Sequence, residues 1–166
     1  MAEAATVEIV RLPVTHPDAA RLVEEVQGEY VVRYGSRDES PVDPTEFADP
    51  TGAFFVAYAD GVPVATGAWR RRTDLTALGS TAVAEIKRMY VVAASRRTGL
   101  ARRMLAHLED TARAAGLEAM VLETGSRQPE AIALYVASGY ERIADFGYHC
   151  GAPEVRSFAR RLTTGT

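Results

Sequence analysis

Four arginines, Arg96, Arg97, Arg102 and Arg103, surround the Thr98-Gly99 pair in the stretch RRTGLARRML, within a chain whose net charge is −3. Leu100, Ala101, Met104, Leu105, Leu108 and Ala112 recur at helical spacing and Gly116 closes the run, so a helix starts near Gly99. The amino end of a helix presents unpaired N–H groups and the positive pole of its dipole, where Asp or Glu is the expected neighbour and each arginine adds repulsion. A bound anion reverses that sign; a solvated basic face is the alternative. The stretch lacks the spaced glycines and the Lys-Ser or Lys-Thr of a nucleoside-triphosphate loop. Cys150 beside His149 supplies the types of a nucleophile and a base, but adjacent side chains seldom face one another, so an ordinary loop or strand cysteine is expected. With one cysteine and three scattered histidines, neither an internal disulfide nor a metal site is expected.

The elements that position this stretch follow from periodicity and turn chemistry. Residues 6–12 alternate as a first strand, and Thr15 with Asp18 around Pro17 marks the start of a helix running to about Tyr34. Leu22, Val23, Val26 and Tyr30 form its apolar face, which Gly28 weakens. Residues 35–50 read as a loop with a short helix after Pro44, and their charge is −4. AFFVAYA and VPVATGAW flank Asp60-Gly61, a strong hairpin signal. VAEIKRMYVV is the next strand, placing Glu85, Lys87 and Met89 on one face and Ile86, Arg88 and Tyr90 on the other. LEAMVLET is a further strand. A last helix follows Gln128-Pro129, with Ala131, Leu134, Tyr135 and Ser138 on one side and Gly139 at its end. Residues 140–162 hold two short strands around a loop at 146–153. The order is that of an α/β (α+β) fold with a mixed sheet.

With 166 residues, 47% of them hydrophobic and 25% charged, the whole chain, 1–166, reads as a single domain with a sizeable core. No apolar run reaches the roughly 20 residues that span a bilayer, and residues 1–10 lack a basic region followed by an apolar one, so a cytoplasmic protein with no membrane partner is expected. The acidic balance argues against nucleic acid as a partner.

Taken together, a strand ending at Val92, an Arg-rich turn with Gly99, the helix that begins there and a later helix bearing Tyr135 resemble the GNAT superfamily of acetyl-CoA-dependent N-acetyltransferases. The resemblance covers residues 53–158 and rests on AEIKRMYV, RRTGLARRML and PEAIALYVASGY. Arg96, Gly99 and Ala101 stand where the family's phosphate loop has Gln or Arg, Gly, and Gly or Ala. It implies a GNAT-like, mostly antiparallel sheet of about six to seven strands with helices on both faces.

The resemblance also implies acetyl-CoA as cosubstrate, its pyrophosphate held by Arg96, Arg97, Thr98, Gly99, Leu100, Ala101 and Arg102. Met89, Tyr90, Val91 and Val92 would offer main chain to the pantetheine arm, and Gln128 and Leu134 would contact the cofactor. Tyr135 matches the tyrosine that protonates the leaving thiolate; packing on an apolar face is its alternative. A lysine-like amine at pH 7 lies about 3.4 pH units below its pKa, so a base is needed. Glu85 stands where some members carry a catalytic glutamate, an ion-paired strand residue being the alternative, and Glu123 is a weaker substitute. Lys87 would pair with Glu85 or bind an acceptor carboxylate. Acceptor selectivity is expected from residues 35–50 and 146–153, whose acidic first part suits a cationic amine. The expected activity is acetyl transfer to a primary amine, a small molecule rather than a protein, by direct attack; a homodimer is compatible. The competing reading is a non-catalytic acyl-CoA-binding module.

Overall fold

The computed structural model of the protein describes residues 4–38 and 43–162. The part of the acidic loop at 39–42, including Glu39, lies outside the described residues. The elements in chain order are β1 (Val7–Arg11), α1 (Pro17–Tyr34), β2 (Gly52–Ala59), β3 (Val62–Arg71), β4 (Val83–Val91), α2 (Leu100–Ala114), β5 (Ala119–Gly125), α3 (Pro129–Ala137), β6 (Glu141–Arg142) and β7 (Val155–Arg161). One-turn 3-10 helices occupy Pro44–Phe47 and Ala93–Ser95. The seven strands form one sheet in the order β1-β2-β3-β4-β5-β7-β6, and only the β4–β5 pair is parallel.

Local chemistry explains the boundaries. Asp60 and Gly61 both take positive φ (48° and 82°), which a tight hairpin turn requires, so β2 and β3 fold back on each other. The start of α1 differs from expectation: His16 is the capping residue, its Nδ1 accepting from the Asp18 amide, while the Asp18 carboxylate accepts from the Tyr58 hydroxyl. Gly35 closes the helix in the left-handed conformation.

Two apolar layers clamp the sheet. On one face α2 buries Leu100, Met104, Leu105, Leu108 and Ala112 against Ala65, Trp69, Ile86, Met120 and Leu122, joined by Tyr135 of α3. On the other face α1 buries Ala19 and Leu22 against Phe54, Val56 and Ala68. Each large side chain so buried contributes about 1.5–3 kcal/mol.

β4 carries a bulge that its sequence conceals. Thr66 pairs with Tyr90 but Ala68 with Lys87, so Gly67 faces two residues, and Arg88 takes φ 58°. One consequence is that Ile86 and Met89 pack on the same face, with α2, whereas Tyr90 packs on the α1 side. The uninterrupted alternation expected across this strand is therefore corrected beyond Arg88. Gly67 also lets α2 approach, since a Cβ there would meet Met104 Cγ at 2.7 Å.

Candidate active site

β4 and β5 pair only at Val83–Ala119, Ala84–Met120 and Glu85–Val121. Beyond these pairs the strands part, and a gap of about 70 Å³ opens between them. Ile86 and Leu122 from the α2 face, and Lys87 and Glu123 from the other, line it together with Met89, Gln128 and Tyr135. It thus passes through the sheet. A second cavity of about 320 Å³ shares Tyr30, Asp38, Glu123, Thr124 and Gln128 with the first and extends between the end of α1 and residues 149–155. The two segments expected to cover an acceptor meet there, because His149 Nε2 lies 3.2 Å from Asp38 Oδ1. His149 thus faces Asp38, and Cys150 bonds the Asp145 carbonyl at 3.6 Å.

At the amino end of α2, Arg97 (φ 63°) and Gly99 (φ 81°) both adopt left-handed backbone conformations. The amides of Arg97, Thr98, Gly99, Leu100, Ala101 and Arg102 donate to no other group among the described residues; the first bonded one is Arg103, to the Gly99 carbonyl. Such a concave run of N–H groups at a helix start has the chemistry to receive an anion. The four arginines are not equivalent. Arg96 is ion-paired to Glu29 at 2.7 Å, donates to the Val91 carbonyl at 3.0 Å and lies over the Tyr90 ring. Arg103 donates to the Val7 carbonyl. Arg97 and Arg102 are exposed, without an ion pair among the described residues. The Thr98 hydroxyl is occupied by the Ser95 carbonyl at 2.6 Å.

The expected main-chain edge is narrower than four residues. The Val92 amide donates to the Val64 carbonyl. Antiparallel pairs alternate between bonded and non-bonded, so Tyr90, opposite Thr66, also turns its main chain to β3, whereas Val91, opposite Ala65, turns its N–H away from β3. Met89 lines the gap beside the bulge, and Leu134 packs against the core. Gln128 donates to the Tyr34 hydroxyl at 3.2 Å, and that hydroxyl lies over Gly125, where a Cβ would approach it to 1.8 Å.

Tyr135 is 5% exposed, its ring edge-on to Tyr140 at 5.6 Å, and its hydroxyl makes no hydrogen bond among the described residues. Burial, and secondarily Tyr30, push its pKa well above the ordinary phenol value. Burial and Asp38 push the Tyr30 phenol up to about 12.

The structure does not bring Glu85 to the gap. It is 1% exposed, lines neither cavity, and its Oε1 accepts from Arg70 and Arg72 at 2.9 Å each, Arg70 being shared with Glu46. The register that sets Arg70 opposite Glu85 makes this pairing. Glu123 instead lines both cavities. Its Oε2 is buried without a hydrogen-bond partner among the described residues, and its Oε1 lies where a Cβ on Gly147 would stand at 1.9 Å. Burial, then the Glu85 charge, raise the Glu123 pKa, against the opposing pull of His149 and Lys87. What separates the two glutamates is their cross-strand neighbours: Arg70 stands opposite Glu85 with Arg72 also in contact, while Ser157 of β7 stands opposite Glu123.

Among the described residues no group of His, Cys, Asp and Glu side chains is placed to hold a metal, and no helix is long and apolar enough to cross a membrane.

Comparison with known proteins agrees with this geometry. Residues 19–140 match the model of the acetyltransferase (GNAT) family. An IAA acetyltransferase of Azospirillum brasilense is 35% identical over 127 residues, covering 76% of this chain and 79% of its own. A Klebsiella pneumoniae protein assigned to the acyl-CoA N-acyltransferases superposes with a TM-score of 0.77 at 24% identity, over 95% of this chain and 99% of its own. A Salmonella typhimurium structure determined with acetyl-CoA as its cofactor superposes at 0.70 with 19% identity, over 96% and 95%.

Proposed function

The chain belongs to the acetyltransferase (GNAT) family, and from that premise we propose that it transfers acetyl from acetyl-CoA directly to a primary amine of a small molecule, with Glu123 as base and Tyr135 as acid. The observation that carries this reading is the gap between β4 and β5, which is lined by a phenol without a hydrogen bond and by a carboxylate whose Oε2 is buried without a partner among the described residues.

Acetyl-CoA supplies the thioester whose acyl carbon the amine attacks. The amides from Arg97 to Arg102 fit its pyrophosphate, with the exposed Arg97 and Arg102 adding positive charge. The Val91 N–H, turned away from β3, polarises the thioester carbonyl, a preorganised donor that needs no rearrangement as charge develops. Glu123 takes the amine proton, directly or through one water, as the N–C bond forms. Its raised pKa makes it a stronger base than an exposed glutamate. As the C–S bond breaks, Tyr135 gives its proton to the sulfur. A phenol held above its ordinary pKa stays protonated across the working range, so Tyr135 is always armed as a donor.

Glu85, with Arg70, Arg72 and Glu46, is assigned a framework role beneath this site. The −4 charge of residues 35–50 assists capture of a cationic acceptor.

The test is steady-state thiol release from acetyl-CoA with a panel of amines, on wild type and Tyr135→Phe. Loss of the acid should lower kcat by about 10²- to 10⁴-fold with the KM for acetyl-CoA unchanged. Binding of acetyl-CoA with no amine-dependent thiol release would leave a binding module in place of an enzyme.

A further inference from the structure

Glu85 and Val121 are the last paired residues of the parallel β4–β5 ladder, and two positions further along each strand stand Lys87 and Glu123. Had the ladder continued, these two would be cross-strand neighbours on one face and an obvious ion pair. The splay holds them apart: no contact within 4.0 Å joins them, although both line the same gap and the Lys87 charge is felt at Glu123. Each is left incomplete. Glu123 Oε2 is buried with no partner, and the Lys87 ammonium has neither hydrogen bond nor ion pair among the described residues.

The surrounding charges are already matched. Glu85 is held by Arg70 and Arg72. Arg88, whose side chain is 9% exposed, lies 4.0 Å from Asp38, which also meets His149. Within the gap this leaves one cation and one carboxylate oxygen, on opposite walls, among the described residues. A buried polar group left unpaired is costly, and a ligand that satisfies both walls at once recovers that cost.

We infer that the acceptor is a free amino acid, its amino group directed to Glu123 and its carboxylate to Lys87. A plain alkylamine would satisfy Glu123 and leave Lys87 bare; a peptide N-terminus would bring an amide where Lys87 calls for an anion. This assignment rests on the acetyltransferase reading above and names the substrate class of the same site.

The experiment compares kcat/KM for matched acceptors: a free α-amino acid, its carboxamide, its methyl ester and the corresponding alkylamine, with an ω-amino acid to set the distance between the two groups. Wild type should prefer the free acid over the carboxamide by about 10- to 100-fold, the range of one charge-assisted hydrogen bond. Lys87→Gln should bring that ratio close to one, and Lys87→Arg should restore most of it. Wild type acetylating acid and carboxamide equally, or Lys87→Gln lowering both in proportion, would overturn the inference while leaving the acetyltransferase reading intact. Absence of thiol release with every amine, beside a thermal shift with acetyl-CoA, would overturn both.

Discussion

Thr66 and Arg88 hold the bulge of β4 between them: the Thr66 hydroxyl donates to the Arg88 carbonyl at 2.7 Å while Arg88 sits at φ 58°. Thr66 is 1% exposed, so water has no route to replace this bond. Thr66→Val keeps the shape and removes the donor, which should cost about 1–3 kcal/mol of stability by leaving a carbonyl unsatisfied. Because the bulge sets the direction of the Val91 amide, the KM for acetyl-CoA should rise as well. Denaturant unfolding and steady-state kinetics read the two effects; a variant with unchanged stability would show that the bulge does not depend on this hydroxyl.

Gly99 has open space around it, so only its backbone conformation resists a side chain. Gly99→Ala should cost about 1–2 kcal/mol from the left-handed conformation. Gly99→Asp adds a negative charge where an anion is to bind and should abolish the thermal shift with acetyl-CoA. Arg97→Ala and Arg102→Ala should each weaken acetyl-CoA binding and reduce its salt dependence, whereas Arg103→Ala, which loses only its bond to the Val7 carbonyl, should not. Equal losses in all three variants would mean that the arginines act as a diffuse field.

These relationships were legible in sequence to different depths. The turn of unbonded amides ahead of α2 was readable because its determinants are local: a glycine at a helix start and arginines where acids would be expected. The hairpin at Asp60-Gly61 and the face of α2 were readable for the same reason. The bulge at Arg88 was not, since an inserted residue leaves an apolar-polar pattern that still looks alternating, and only the partner strand reveals the slip. The different surroundings of Glu85 and Glu123 were hidden by the same long-range register. Glu85 and Glu123 are equivalent as residue types, and what distinguishes them is that β3 and the residue after it bring Arg70 and Arg72 to one, whereas β7 sets Ser157 opposite the other. The His16 cap is not legible in sequence because Thr15, a commoner capping type, stands one residue earlier.

Glu85 offers a direct contrast. Its removal leaves two guanidiniums without their shared carboxylate, and breaking a buried pair costs about 3–5 kcal/mol. Glu85→Ala should therefore lower the Tm substantially, while Glu85→Gln, which can still accept a hydrogen bond, should lose less. In neither should the acid limb of the kcat/KM profile disappear. Disappearance of that limb in Glu85→Gln at normal stability would return the base role to Glu85.

Glu123 should behave in the opposite way. Its pKa lies above the ordinary glutamate value of 4.5 because burial and the Glu85 charge disfavour the ionised form. A carboxyl whose pKa is higher folded than unfolded favours the native state when protonated, and that contribution is lost as pH rises through the folded pKa. At neutral pH the ionised group is thus a net liability to the fold, and Glu123→Gln should raise the Tm, by an amount that shrinks as the pH is lowered below the folded pKa. Activity should move the other way. The base works only when ionised, so wild-type kcat/KM should fall on the acid side with a midpoint above 4.5, and Glu123→Gln should lose that limb together with about 10²- to 10⁴-fold of kcat. A pH series of Tm and kcat/KM on the two proteins checks both signs at once. A variant that is more stable, less active and flat on the acid side would identify Glu123 as the base, whereas an unchanged acid limb would remove it from the mechanism.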